Sequence, residues 1–302
     1  MIASLPVGKR ENGMAQRFPR MLVGTLAAAL LASTAAWAGE GELRVCADPD
    51  NLPFSNQRQA GFENKIAKRL ADDLRMRLVY TWQKQRQSFI RQTLLAERCD
   101  VVMGVPYGLE RVRSTRPYYR SGYVFVTARR RHLALKSLDD PLLRTLKIGL
   151  HAIGKDGSNT PPANALARRG MAANIVGFSM WGEASVKNPQ GQIVDAVAQG
   201  QIDAAIVWGP IGGFFANRYG KALVVEPVPD DAGMPSMPFA FDIAIGVRKG
   251  EEAFAAQLEA SVQRNRREIH DILTAYHIPL IEPVTGSPSS ESDTGRTAPQ
   301  TQ

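Results

Sequence analysis

Short apolar runs alternate with segments of helical period, and the alternation occurs twice along the chain. Leu43–Ala47 is a strand-like run. Gly61–Leu74 then places Phe62, Ile66 and Leu70 four apart beside Ala67 and Leu74, which predicts a helix with one buried face. Arg77–Thr81 alternates as a strand. Gln87–Arg98 is a second predicted helix, with Phe89, Ile90, Leu94 and Leu95 inward. Cys99–Gly104 is continuously apolar, as a strand covered on both faces would be. Strands separated by single helices imply a parallel sheet with right-handed crossovers. The pattern restarts with a strand at Leu146–Leu150 and a helix at Pro161–Arg169. A strand at Asn174–Gly177, a helix at Gln190–Gln199, a strand at Asp203–Trp208, a helix at Pro210–Tyr219 and a strand at Ala222–Glu226 follow. Pro227–Pro238 is a loop. Phe239–Val247 is extended, and Glu251–Asn265 and Arg267–Tyr276 are terminal helices.

Two α/β units follow from this order. The chain is expected to cross between them near Tyr123–Ala128 and to return near Phe239–Val247. Lobe 1 is then 39–126 plus 240–285, and lobe 2 is 127–239. Ligands of open α/β sheets bind beyond the carboxyl ends of the strands, and both lobes turn those ends toward a shared cleft. With 302 residues, 44% hydrophobic and 22% charged, the chain has the composition of a folded protein and not of a disordered one.

Residues 1–38 read as an export signal. Lys9, Arg10, Arg17 and Arg20 form a basic leader, Met21–Leu31 an apolar core, and Ala36-Trp37-Ala38 a cleavage site. The apolar core is too short for a bilayer anchor. Cleavage would leave residues 39–302 in the periplasm, with a tail at 286–302 rich in Ser, Thr, Pro and Gly and expected to be disordered. In an oxidising compartment Cys46 and Cys99, at matching ends of two neighbouring strands, are expected to form a disulfide. The alternative is two separate buried thiols. Without nearby histidine they make a poor zinc site.

The loops at the expected cleft supply the candidate site. After the first strand come Asp48, Asn51 and Phe54, on a turn stiffened by Pro49 and Pro53. Trp82, Gln85 and Arg86 follow the second strand, and Pro106, Tyr107 and Arg111 the third. Tyr119, Thr160 and Trp208 complete the set. Thr160 is suited to cap the helix that opens with Pro161, leaving amides for an anion or simply closing the helix end.

Several motifs are excluded. Gly149–Lys155 fits G-x-x-x-x-G-K, but Asp156 stands where a P-loop needs Ser or Thr. Asp48-Pro-Asp-Asn lacks the Gly and Glu of a calcium loop. No histidine pair has metal-ligand spacing and no Ser sits in a G-x-S-x-G elbow, so neither a metal site nor catalysis is expected. Export and mixed charge argue against nucleic acid, despite a formal charge of +8. Arg111, Arg113, Arg116, Arg120, Arg129, Arg130 and Arg131 are interleaved with Tyr118, Tyr119 and Tyr123. Arg and Tyr together suit a protein interface with an acidic partner; the alternative is a solvated face with structural ion pairs.

Asn51-Leu-Pro-Phe-Ser55, Gly61-Phe-Glu-Asn-Lys-Ile-Ala67, Cys99-Asp-Val-Val-Met-Gly-Val-Pro106, Arg116-Pro-Tyr-Tyr-Arg-Ser121, Asn159-Thr-Pro-Pro-Ala163 and Val207-Trp-Gly-Pro210 carry a family resemblance. Over 43–277 the chain resembles two-lobed, two-crossover periplasmic solute-binding proteins (type II). Within them it is similar to the MoxJ/XoxJ group, accessories of pyrroloquinoline-quinone (PQQ) dependent methanol and alcohol dehydrogenases. The resemblance implies a periplasmic, non-catalytic accessory partnered by such a dehydrogenase, with a cytochrome c of the same system as a further partner; the alternative is a periplasmic receptor for an alcohol-derived metabolite or cofactor-related compound, with or without an ABC transporter. It implies no directly bound cofactor, since PQQ belongs to the enzyme. Amino-acid binders of this shape hold the ligand carboxylate with an Arg near Arg111. They hold its ammonium with an acid five residues after the Asp of a Gly-x-x-Asp-Ala stretch. Here Gly200-Gln-Ile-Asp203-Ala204 is present, but Trp208 takes the acid's place. An indole supplies no negative charge, so ordinary amino acids are not the expected ligands.

Overall fold

The computed structural model describes residues 41–152, 160–180 and 188–282. The export signal, the tail, most of the loop between His151 and Thr160, and the P-loop-like Gly154-Lys155 lie outside the described residues.

The first unit opens with β1 (Glu42–Ala47), a two-residue hairpin of β2 (Asp50–Asn51) and β3 (Ser55–Asn56), and α1 (Phe62–Asp73). It continues through β4 (Arg77–Trp82), α2 (Phe89–Gln92), β5 (Val101–Pro106) and the short β6 (Arg113–Ser114). β1 pairs in parallel with both β4 and β5. α1 buries Phe62, Ile66, Ala67, Leu70 and Ala71, the stripe its spacing predicts. The second helix is far shorter than the pattern implies. It ends at Gln92, and Glu97 takes a positive φ of 58°. Its apolar residues are satisfied by a compact turn instead, in which Phe89, Leu94 and Cys99 pack as one cluster.

β7 (Tyr119–Ala128) is a ten-residue strand that belongs to both lobes. Tyr119–Gly122 pair with β12 (Ala240–Val247), which in turn lies antiparallel to β5. Tyr123–Ala128 pair instead with strands of lobe 2. These are β10 (Ala204–Trp208) and β11 (Leu223–Pro227), both antiparallel to it. The hand-over therefore falls at Gly122–Tyr123, ahead of the boundary drawn at residue 126. Lobe 2 continues outward through β8 (Ile148–Ala152) and β9 (Ile175–Ser179), parallel to β10. Its helices are α3 (Pro161–Arg168), α4 (Gln192–Gln199) and α5 (Gly209–Asn217). The two crossings are bonded to each other, Tyr123 N donating to the Phe239 carbonyl at 2.8 Å.

α6 (Glu252–Arg264) and α7 (Arg266–Ala275) return to lobe 1 and pack on α1. The chain then runs back along the hinge. Ser121 Oγ donates to the Pro279 carbonyl at 2.6 Å, and Ile281 N to the Arg120 carbonyl at 3.0 Å. α5 touches this strap through Gly213, where a Cβ would lie 2.0 Å from the His277 carbonyl oxygen.

Cys46 and Cys99 are joined, with Cα atoms 5.5 Å apart. They lie on the thinner side of lobe 1 with Phe89, Leu94, Val102, Val105, Val112 and Ala244. Arg248 donates to the Cys99 carbonyl and to Asp100 (3.1 Å), and Arg44 pairs with Asp100 at 2.5 Å. Cross-linking residues 53 apart restricts the unfolded chain by about 4 kcal/mol in the loop-entropy model. Reduction is expected to lower the unfolding free energy measured in urea by most of that amount without separating the lobes, read by tryptophan fluorescence. Mass spectrometry after alkylation is expected to find no free thiol before reduction.

Candidate functional site

The loop after β1 is one part of lobe 1 that reaches lobe 2. Asp48 anchors it. Its Oδ1 accepts from Asp50 N (2.8 Å) and its Oδ2 from Gln85 N (2.5 Å). Burial pushes the Asp48 carboxyl up, and those two amides oppose the shift. The loop is thereby fastened to the segment after β4. Pro53 and Phe54 carbonyls accept from Phe62 N and Glu63 N, so the turn also sits on the first turn of α1.

Asn51, at the tip, spans the cleft. Its Nδ2 donates to Gln85 Oε1 (3.0 Å), and its Oδ1 accepts from Gln190 Nε2 of lobe 2 (2.7 Å). Asn51 is 9% exposed and Gln190 3%, so water competes little for either bond. Beside this amide relay, Leu52 and Phe54 pack against the lobe 2 cluster of α4 and α5. Trp208, which ends β10, joins the cores of both lobes, with its ring 5.6 Å from Tyr123 and 5.9 Å from Phe241. Among the described residues the lobes meet here through a polar relay and an aromatic seam, and elsewhere through Phe214 of α5 stacked on Tyr276.

The remaining candidates are dispersed. Trp82 stacks on Tyr80 at 4.5 Å, and Tyr119 is buried against Phe62 at 6.0 Å. Pro106, Tyr107, Arg86 and Arg111 are exposed, and Arg111 has no ion pair among the described residues. The aromatic rings that face Trp208 are those of Tyr123 and Phe241, while Trp82 stacks on Tyr80 and Tyr107 is exposed. Thr160 begins α3, but its hydroxyl makes no cap hydrogen bond; Oγ1 is enclosed and unpartnered. The expected side-chain cap is therefore absent, the helix relying on Pro161 and Pro162 at its start.

The arginine-rich stretch is not one patch. Arg113 and Arg116 face Glu259 in lobe 1, and Arg120 pairs with Asp242 at the hinge (2.8 Å). Arg129 and Arg130 donate to the Lys221 and Ala198 carbonyls, and Arg131 pairs with Asp203 at 2.7 Å, all in lobe 2. The intervening strand separates the two groups by roughly 30 Å. Structural pairing accounts for most of these charges.

Three residues of the site carried no readable signal. Gln190 and His151 lie on the lobe 2 wall, and Glu63 stands beneath the lobe 1 turn. Glu63 opens α1 with its Oε1 so close to Gly104 that a Cβ there would lie 2.1 Å away; Gly104 itself has φ +70°. Around it lie Tyr80 and Tyr118 with their hydroxyls enclosed, that of Tyr80 beside Asn64 and that of Tyr118 beside the Gly104 backbone. Part of the residue's surface remains accessible, but protein atoms surround the carboxyl, and that burial pushes its pKa from 4.5 up to about 8.

Two outcomes follow. Between pH 4.5 and about 8 the unfolded chain has released the Glu63 proton while the folded chain keeps it, so stability falls as pH rises. Glu63→Gln is expected to match the parent near pH 5 and to exceed it in melting temperature at pH 8. Asn51→Ala leaves Gln190 unpaired and is expected to cost roughly 1–3 kcal/mol in urea unfolding. It is also expected to increase the radius of gyration in X-ray scattering.

Residues 43–277 match the model of bacterial extracellular solute-binding proteins, family 3. MoxJ of Methylorubrum extorquens is 30% identical over 256 residues, which are 83% of this chain and 85% of the relative. MoxJ of Paracoccus denitrificans is 30% identical over 276 residues, 87% and 97% of the two chains. The crystal structure of the periplasmic binding protein XoxJ from Methylobacterium extorquens AM1 superposes with a TM-score of 0.66 at 33% identity. The match covers 80% of this chain and 100% of that one. No described helix is long and apolar enough to cross a membrane. A β-strand shared by two α/β lobes, a cleft between their strand ends and a family match over 43–277 agree: the chain belongs to the family 3 bacterial extracellular solute-binding proteins.

Proposed function

We propose that the protein assists a PQQ-dependent methanol or alcohol dehydrogenase in the periplasm, in its maturation or activation, by binding the enzyme or a segment of it at the interlobe cleft. The carrying observation is Trp208. It stands at the end of β10, where an amino-acid binder places its ammonium-holding acid, and is packed among Tyr123, Phe241 and both lobe cores. Burying an unpaired ammonium there costs several kcal/mol. An aromatic seam is instead suited to an apolar protein segment, since aromatic side chains dominate the fixed centres of protein interfaces. The MoxJ relatives, matched over most of both chains, support the assignment to alcohol oxidation. In this reading the protein holds no cofactor itself and performs no catalysis; PQQ stays with the enzyme, and a cytochrome c of the same system is a further candidate partner.

The closed cleft bears on how such a partner would enter. Leu52, Phe54 and the Asn51–Gln190 bond occupy the space between the lobes. A segment entering there must displace contacts worth only a few kcal/mol, within reach of a modest interface.

Tagged protein drawn from the periplasm of alcohol-grown cells is expected to bring a quinoprotein dehydrogenase with it. Trp208→Ala is expected to weaken that association at least tenfold while circular dichroism stays unchanged. Calorimetry with the standard amino acids is expected to show no micromolar binding. Tight binding of any of them, or unchanged partner affinity in the folded variant, would overturn the reading.

A further inference from the structure

The lobe 2 wall of the cleft holds two hydrogen-bond acceptors that the protein leaves unsatisfied. His151 lies near the carboxyl end of β8 and is 5% exposed. Its ring lies beside the Gln190 backbone, and its Nε2 is enclosed with no partner. Burial holds the ring's pKa down at about 4, so it is neutral at physiological pH. In the neutral tautomer that keeps its proton on Nδ1, Nε2 retains its lone pair and accepts. Gln190 is the second. Its Nε2 is committed to Asn51 across the cleft, while its Oε1 is enclosed and unpartnered.

These two atoms belong to neighbouring residues and sit in apolar surroundings. Gly149, two residues before His151 on the same face of β8, lies against Ile193, Ile202 and Phe178. On the other side of the cleft, Leu52 and Phe54 close over this cluster. In the facing loop, Asp48 already accepts from two amides, and Asp50, whose carbonyl lies 3.5 Å from Gln190 Nε2, is exposed.

Each buried acceptor left unpaired costs free energy that a donor would recover. An anion would set its charge against two lone pairs. A cation would lose its hydration without gaining a counter-charge. A neutral donor meets neither penalty. We propose that His151 and Gln190 form a subsite for the neutral N–H or O–H donor group of a small molecule, such as a carboxamide or a polyol. This chemistry is the opposite of the charged recognition that a zwitterionic amino acid requires. It stands apart from the dehydrogenase reading, since it needs no protein partner.

The test is nitrogen-15 NMR of the protein labelled at histidine, with His151 assigned by the resonance missing from His151→Phe. In buffer the His151 ring is expected to stay neutral from pH 5 to 8 with its proton on Nδ1. Acetamide or glycerol is expected to move the Nε2 resonance saturably, and acetate and methylammonium at equal concentration are not. His151→Phe and Gln190→Met, each checked by circular dichroism, are expected to weaken binding about tenfold, as loss of one hydrogen bond does. A ring protonated on Nε2 would overturn the subsite. So would an absent saturable response to both neutral probes, which would leave the acceptors to water alone, or an equal response to acetate. Should one variant fail to fold, the labelled parent and the other variant decide. Because no dehydrogenase is present, failure here is distinct from failure to capture one.

Discussion

Both lobes hang on the backbone hydrogen bonds of a single strand. β7 gives its first residues to β12 and its last six to β10 and β11. Each amide along a buried strand must find a partner, and here the partners change lobe within one peptide at Gly122–Tyr123. The position of the cleft follows from that exchange. β1 and β10 lie on opposite sides of the hand-over, and Phe54 from the loop beyond β1 and Trp208 at the end of β10 pack against the same two cores. The second crossing is tied to the first at Tyr123–Phe239, and the C-terminal strap is tied to both at Ser121 and Arg120. Rotation of one lobe against the other must therefore pass through a small, heavily bonded region, while the rim is held by only a few bonds.

The contrast between hinge and rim explains why polar groups matter at the cleft. Across the rim the lobes share the Asn51–Gln190 bond and the contacts of Leu52, Phe54 and Trp208. Neutral amides can exchange partners without the large desolvation penalty that a buried ion pair carries. A cleft closed in this way reopens more readily than one locked by charge. Glu63 follows a related logic on the lobe 1 side. Its carboxyl is accommodated by staying protonated, because Tyr80, Tyr118 and Gly104 surround it without a countercharge.

Much of the fold was legible because burial writes a period into the sequence. α1, the parallel strands and the two crossings follow from apolar spacing, and the disulfide from two cysteines beside neighbouring strands of a chain with an export signal, although Cys46 lies near the carboxyl end of β1 and Cys99 just before the amino end of β5. The expected helix at Gln87–Arg98 failed for a physical reason. Its apolar residues had the right period, but the disulfide and the Arg248 contacts draw Cys99 and Asp100 inward. The chain closes in one helical turn and a compact loop. The site was legible only in part. Asn51, Phe54 and Trp208 announce themselves by turn chemistry and by a missing acid. Gln190 and His151 do not, since a glutamine beside a predicted helix and a lone histidine in a strand have no spacing that marks them. Only the fold brings them to Asn51. The arginine stretch shows the converse error, as residues close in sequence are carried apart by the strand between them.

Lobe 1 is armoured unequally. One face of its sheet is covered by three helices, α1, α6 and α7. The other is covered by a single helical turn, a few aliphatic side chains and the Cys46–Cys99 bridge. On that flank a covalent bond does the work that a longer helix would do, and such a bond persists only where thiols are oxidised. Folding is thus coupled to address. Kept among reduced thiols, the chain would have a complete lobe 2 and a half-clad lobe 1, and it would acquire its last layer only after leaving them.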